Sequence, residues 1–195
     1  MSSKSLFFSK KIVRMNIDTI IDQPLKEIVI FAVNTGVRIG ELVNIKWSHV
    51  DFNKKTVRIS QKDGFETKSK KERTIPMNRK VYELLLSKER KGEYIFCRND
   101  WEQREEHLIA RKFKEYLKSI DLGDGFSFHS LRHTFASHLV QKGVSLYKVS
   151  KLLGHANIKT TEIYAHLAPE TFHDVVRLLD GKDGGESPFY GIVGE

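Results

Sequence analysis

Two residue types placed three apart on one helix, a histidine and an arginine, suit the handling of a phosphate. His129 and Arg132 are so placed, in His129-Ser-Leu-Arg132-His-Thr-Phe-Ala. Such a pair shares one helix face. It also lies in the first turn, where unpaired backbone N–H groups and the helix dipole favour an anion. The guanidinium grips two oxygens at once, and the imidazole can move a proton near neutral pH. Taken alone the pair more often reads as a capped surface helix with a chance neighbour. Arg38 lies far upstream, in Thr35-Gly-Val-Arg38-Ile-Gly-Glu41-Leu, and Lys68 lies between, in Thr67-Lys68-Ser-Lys-Lys-Glu-Arg-Thr-Ile-Pro76. Downstream come His155, in Leu152-Leu-Gly-His155, and Tyr164, in Thr161-Glu-Ile-Tyr164. His155 reads either as a charged helix-end cap or as a group aimed into a site. A phenol, which titrates near 10 in isolation, attacks phosphorus well only if a base or nearby cations help remove its proton. Lys68 has a flexible stem that reaches a leaving oxygen. Lys70, Lys71 and Arg73 beside it read as contacts to a DNA backbone. His133 and His138 read as packing or capping residues.

The whole composition points the same way. The formal net charge is +8 and the pI about 9.5, which favours a polyanionic partner, most simply nucleic acid. Hydrophobic residues make up 39% and charged residues 30% of 195, as in an ordinary globular domain with a proper core. The one cysteine, Cys97, excludes an intrachain disulfide and a thiolate metal cluster. No run of the sequence is apolar for the roughly 18 residues that a membrane span needs, and Leu6-Phe7-Phe8 is too short for a signal-peptide core. A cytoplasmic protein with no membrane partner is expected. No metal-ligand spacing and no glycine-rich phosphate loop are present in the sequence, so neither a metal nor a nucleotide cofactor is expected.

Several elements must carry these residues. Residues 1–22 read as a loose arm or truncated linker. Asp22-Gln-Pro24 starts a helix that carries Leu25, Ile28, Val29, Phe31, Ala32 and Val33 and that Gly36 ends. Arg38 therefore leaves a helix–helix corner, and Ile39 to Lys46 makes a second short helix. Thr56–Ser60 and Thr74–Met77 alternate as strands of a hairpin or three-stranded sheet, with Lys68 on or beside the tip. Asn78 caps a helix to Ser87. Tyr94-Ile-Phe96 is a short buried piece, and 105–119 is an amphipathic helix. Ser127 caps the helix 129–142; Ser145 and Gly154 bracket another; Asn157 to His166 and Pro169 to Asp180 complete the set. Residues 181–195 form a glycine-rich tail. The expected fold is mainly α with a small antiparallel β-sheet, α+β, with one domain over 23–180.

Taken in order, Arg38, Lys68, His129-x-x-Arg132, Leu-Gly-His155 and Tyr164 resemble the catalytic domain of the tyrosine recombinases, the phage integrase family. The resemblance runs from about Pro24 to Asp180, and five separated motifs in sequence make it specific. It implies a DNA strand transferase that needs no metal and no ATP, with double-stranded DNA as partner. Tyr164 would be the nucleophile, forming a 3′-phosphotyrosine bond and releasing a 5′-hydroxyl. Arg38 and Arg132 would clamp the non-bridging oxygens, Lys68 would protonate the leaving oxygen, and His129 would assist proton transfer at the tyrosine. His155 would bond the phosphate or position the nucleophile, and Glu41 would brace the site.

Family members commonly carry an N-terminal DNA-clamping domain. Only 37 residues precede Arg38, so a fragment is the favoured expectation, mainly monomeric when free and assembling to a tetramer only on DNA. The tail at Phe189, Tyr190, Ile192 and Val193 would dock on a neighbouring protomer or stay flexible. Two other functions use the same residues: a DNA-binding regulator without catalysis, and a type IB topoisomerase-like enzyme.

Overall fold

The computed structural model describes residues 17–60, 72–97, 103–122 and 125–169, together with Val176. The tail 181–195, the expected helix beyond Pro169 apart from Val176, and Lys68, Lys70 and Lys71 lie outside the described residues.

Helix α1, Gln23–Thr35, begins and ends as its sequence dictates. Asp22 Oδ1 accepts the Leu25 N–H at 2.9 Å, and Gly36 takes the left-handed conformation at φ 66°. A Cβ at position 36 would meet the Phe135 ring at 2.5 Å, so the corner demands glycine for space as well as for conformation. The residues just before α1 belong to the domain rather than to a loose arm. Ile20 is buried and Thr19 bonds the Tyr116 hydroxyl at 2.9 Å, because an apolar side chain beside the core gains by entering it. The short helix α2, Ile39–Val43, follows at the corner.

Strands β1 (Val50–Asp51), β2 (Thr56–Ile59) and β3 (Arg73–Pro76) form one antiparallel sheet in the order β1-β2-β3. Ile59 pairs with Arg73 and Val57 with Ile75, so Val57, Ile59 and Ile75 point into the core. Asn78 caps α3, Arg79–Ser87, by accepting the Val81 N–H at 3.0 Å. The piece at Ile95 and Phe96 is buried and bonds Ile45 at 2.9 Å. Helix α4, Glu106–Ser119, buries Ile109, Phe113 and Leu117.

Helix α5, His129–Gln141, bridges the two apolar clusters of the described chain: Leu131 belongs to the larger, Ala136 and Val140 to the smaller. Ser127 is not its side-chain cap; instead its N–H donates to Ser130 Oγ at 3.1 Å. Ser145 and Gly154 bracket α6, Leu146–Leu153. The helix expected at 157–166 is replaced by two 3₁₀ turns, Ile158–Thr160 and Glu162–Leu167. They meet at Thr161, which is fully buried and accepts or donates at His155 Nδ1 over 2.8 Å. Thr161 and Tyr164 bond three residues back rather than four, so the chain tightens around that fixed side chain.

Candidate active site

The site grows from the Gly36 corner. Arg38 is the residue that starts α2, and both its backbone N–H and its Nη1 donate to Glu41, at 2.8 and 3.0 Å. The Glu41 side chain is 1% exposed. It takes a second arginine in two-pronged fashion: Arg73 Nη1 to Oε1 at 2.9 Å and Nη2 to Oε2 at 2.7 Å. Burial alone would push the Glu41 carboxyl up. The Arg73 bonds and charge, helped by the Arg38 N–H and the Arg132 charge, prevail and hold it below the usual range, so it is an anion at neutral pH.

Arg73 thus has a different place from the one expected. Its side chain is 7% exposed, and its Nε donates to the Leu152 carbonyl at 2.9 Å. A guanidinium engaged by a buried carboxylate and a helix-end carbonyl is not a DNA-backbone contact; it ties β3, α2 and the end of α6 together. Gly154 lies flat against it, since a Cβ there would come within 3.0 Å of Arg73 Cδ. The sequence offered one signal. A bracing acid at Glu41 needs a cation, and Arg73 stands where the alternation of β3 begins.

Arg132, on the first turn of α5, is 3% exposed. Its Nη1 donates to the Gly36 carbonyl and its Nη2 to the Leu153 carbonyl, each at 2.6 Å. It therefore fastens the Arg38 corner to the His155 turn. Burial first, and then the Arg38 charge, bring its pKa down to about 9 against the opposing pull of Glu41, which still leaves it cationic at neutral pH. Two of its five N–H donors make these carbonyl bonds, so the fork keeps capacity for a phosphate. His155 sits directly after Gly154. Burial, then the charges of Arg132, Arg38 and Arg73, push its pKa down to about 4. The ring is therefore neutral at neutral pH, and its Nδ1 is paired with the buried Thr161 hydroxyl.

Tyr164 is 2% exposed, and its hydroxyl meets His133 Nδ1 at 2.6 Å. Burial raises its pKa to about 12, although the Arg132 charge pulls the other way. His129 is exposed, with its ring edge-on to that of His133 at 4.9 Å. Arg38 and Arg73 share Glu41, and Arg132 fastens the Gly36 corner to the Leu153 carbonyl two residues before His155, while Tyr164 reaches the same helix as Arg132 through His133. His133 is the residue that the sequence reading left to packing. Its one sequence signal was a spacing of four from His129, which puts both rings on one helix face.

The model of the phage integrase family matches residues 8–171. The chain belongs to the phage integrase family. Among its relatives, the integrase of Escherichia phage P2 is 31% identical over 169 residues, 86% of this chain and 45% of that protein. The tyrosine recombinase XerA of Pyrococcus furiosus is 31% identical over 173 residues, 82% of this chain and 57% of that one. The chain spans about half the length of these relatives. The catalytic domain of bacteriophage HP1 integrase superposes with a TM-score of 0.65 at 24% identity, over 95% of this chain and 98% of that one. The Tn1549 transposon integrase, solved with a circular intermediate DNA, gives 0.65 at 23% identity, over 91% and 62%. The fold of this integrase-family chain is therefore the mainly helical one with a small antiparallel sheet that was expected. Among the described residues, no helix is long and apolar enough to cross a membrane.

Proposed function

We propose that this chain is the catalytic domain of a site-specific DNA recombinase that cleaves and rejoins strands through a 3′-phosphotyrosine intermediate. The observation that carries the reading is the tie of Arg38 and Arg132 to one corner, by Glu41 and by the Gly36 carbonyl, with Tyr164 close enough to feel the Arg132 charge. Two guanidinium groups so held supply a preformed positive field where a phosphorane gains negative charge. Tyr164 Oη attacks phosphorus as the bond to the 5′ oxygen breaks. Lys68 gives that oxygen its proton, His129 assists at the tyrosine, and His155 bonds a phosphate oxygen. The energy of the broken phosphodiester stays in the protein–DNA bond, so rejoining needs no ATP, and charge stabilisation by side chains takes the part a metal would play. Double-stranded DNA is the partner, Lys70 and Lys71 touch its backbone, and protomers assemble as a tetramer on DNA from free monomers. The protein acts in the cytoplasm, at the nucleoid.

The test is a duplex cut from the DNA that flanks the gene, nicked so that the 5′ fragment escapes after cleavage. The chain should become covalently bound, with the adduct mapping to Tyr164 by mass spectrometry. Salt-sensitive binding with no adduct would instead favour a DNA-binding regulator, and site-independent supercoil relaxation a topoisomerase-like enzyme. The clamp makes a sharper expectation. Arg132→Lys should lower the rate of adduct formation by about 100-fold or more, because an ammonium cannot span two oxygens or hold two carbonyls. Near-native cleavage by that variant would remove the clamp from the mechanism.

A further inference from the structure

His133 has no part in the roles given above, yet it holds the attacking oxygen. We propose that His133 is the base that takes the proton of Tyr164 directly as its oxygen adds to phosphorus, with His129 assisting only through its ring contact with His133. The proposal rests on the reading of Tyr164 as nucleophile and deepens it.

The geometry carries it. Nδ1 lies 2.6 Å from the Tyr164 hydroxyl, within the range of a strong hydrogen bond. Both partners are held. Tyr164 is packed in the smaller core cluster with Ala136, Val140, Val149, Leu153 and Leu167. His133 follows Arg132 in the helix, and Arg132 is pinned at two carbonyls. The ring of His133 is flanked by that of His129 at 4.9 Å and that of Tyr164 at 5.9 Å.

The electrostatics agree. Burial, and then the Arg132 charge, push the His133 pKa below its usual 6.5, so the ring is neutral at neutral pH and Nδ1 can accept. Tyr164 keeps its proton, with a pKa of about 12, and is the donor. A phenol held so far from ionisation needs a base at the moment of attack. Among the described residues, the titratable and charged groups recorded against His133 are Arg132 and His129 on its own helix and Tyr164 on the adjoining 3₁₀ turn. Glu162 and His166 on that turn are exposed, and the buried residues of α1 and α6 carry no acid or base.

The step balances. The Tyr164 O–H proton passes to His133 Nδ1, the Oη–P bond forms, the P–O5′ bond breaks, and the 5′ oxygen takes a proton from Lys68. In rejoining, the imidazolium of His133 returns its proton to the departing Tyr164 oxygen.

The experiment uses the full chain with the same nicked duplex, in two forms: an oxygen at the leaving position, and a 5′-bridging sulfur, which departs without an acid. His133→Asn keeps a polar atom near Nδ1 but takes up no proton; His133→Leu fills the space. Both should form the adduct about 100-fold or more slowly at neutral pH on both substrates. The native rate should fall as pH drops below 6.5 through the titration of His133, and the variants should lack that limb and recover as pH rises toward the phenol range. With no DNA present, ¹⁵N-labelled His133 should show an unprotonated Nδ1 at neutral pH that shifts in Tyr164→Phe. Variants that react within about threefold of native, a rescue by sulfur, or a protonated Nδ1 would each overturn the assignment. Absence of any adduct from the native chain, or an adduct on another residue, would instead bring down the nucleophile reading, and this proposal with it.

Discussion

Phenylalanine at position 164 should leave a folded chain that never becomes attached to DNA. The ring sits in the core and Tyr164→Phe keeps it, so the apolar contacts survive. What goes is the hydroxyl and its 2.6 Å bond to His133. Leaving one half-buried imidazole nitrogen without that partner costs roughly 1–3 kcal/mol, against a typical stability of about 5–15 kcal/mol. The melting temperature should therefore fall by only a few degrees, while DNA affinity is unchanged because Arg38 and Arg132 keep their settings. Adduct on the nicked duplex should drop below detection, since no other described residue presents a hydroxyl of comparable acidity beside Arg132. Retention of the adduct in Tyr164→Phe would show that the nucleophile lies elsewhere.

Truncating Glu41 should have the largest effect on stability. Its carboxylate takes four N–H donors from Arg38 and Arg73 while nearly sealed from solvent. Glu41→Ala would strand the Arg73 guanidinium, itself 7% exposed, without its counter-charge. Removing one partner of such a buried pair costs roughly 3–5 kcal/mol, a melting shift on the order of 10 °C for a domain of this size. Adduct formation should fall as well, because Arg38 loses the group that orients it. Glu41→Gln separates charge from shape. A carboxyl whose folded pKa lies below its ordinary 4.5 stabilises the protein above that value, and the contribution is lost as the pH falls through the folded pKa. The native chain should accordingly lose stability steeply below about pH 4.5, and Glu41→Gln should lose less over the same window. Part of the acid limb should remain in the variant, because the Asp22 carboxyl is also held low. Denaturant melts across pH check this; identical acid limbs for native and Glu41→Gln would mean that the ion pair contributes nothing net.

Much of the fold was legible because its signals are local. Asp22 with Gly36, Ser145 with Gly154, and Asn78 each act on backbone within a turn or two of themselves, so sequence order alone delimits those helices. Arg38, Arg132 and Tyr164 could be singled out as candidates from motif order, and the structure holds Arg38 and Arg132 at one corner. The site was not legible where a role depends on a distant partner. Arg73 reads as one more charge in a basic run until Glu41, thirty-two positions away, is folded against it. His133 reads as filler until Tyr164, thirty-one positions on, is laid across it. The segment 157–166 has helical spacing, yet it runs as two 3₁₀ turns that meet at Thr161, whose hydroxyl is paired with His155, outside the segment.

Arg73 is a peg driven in from two sides, by Glu41 and by the Leu152 carbonyl. One carboxylate therefore sets two registers at once, that of the sheet against α2 and, through Arg73, that of the end of α6, so that a slip of the sheet edge would be felt at Arg38.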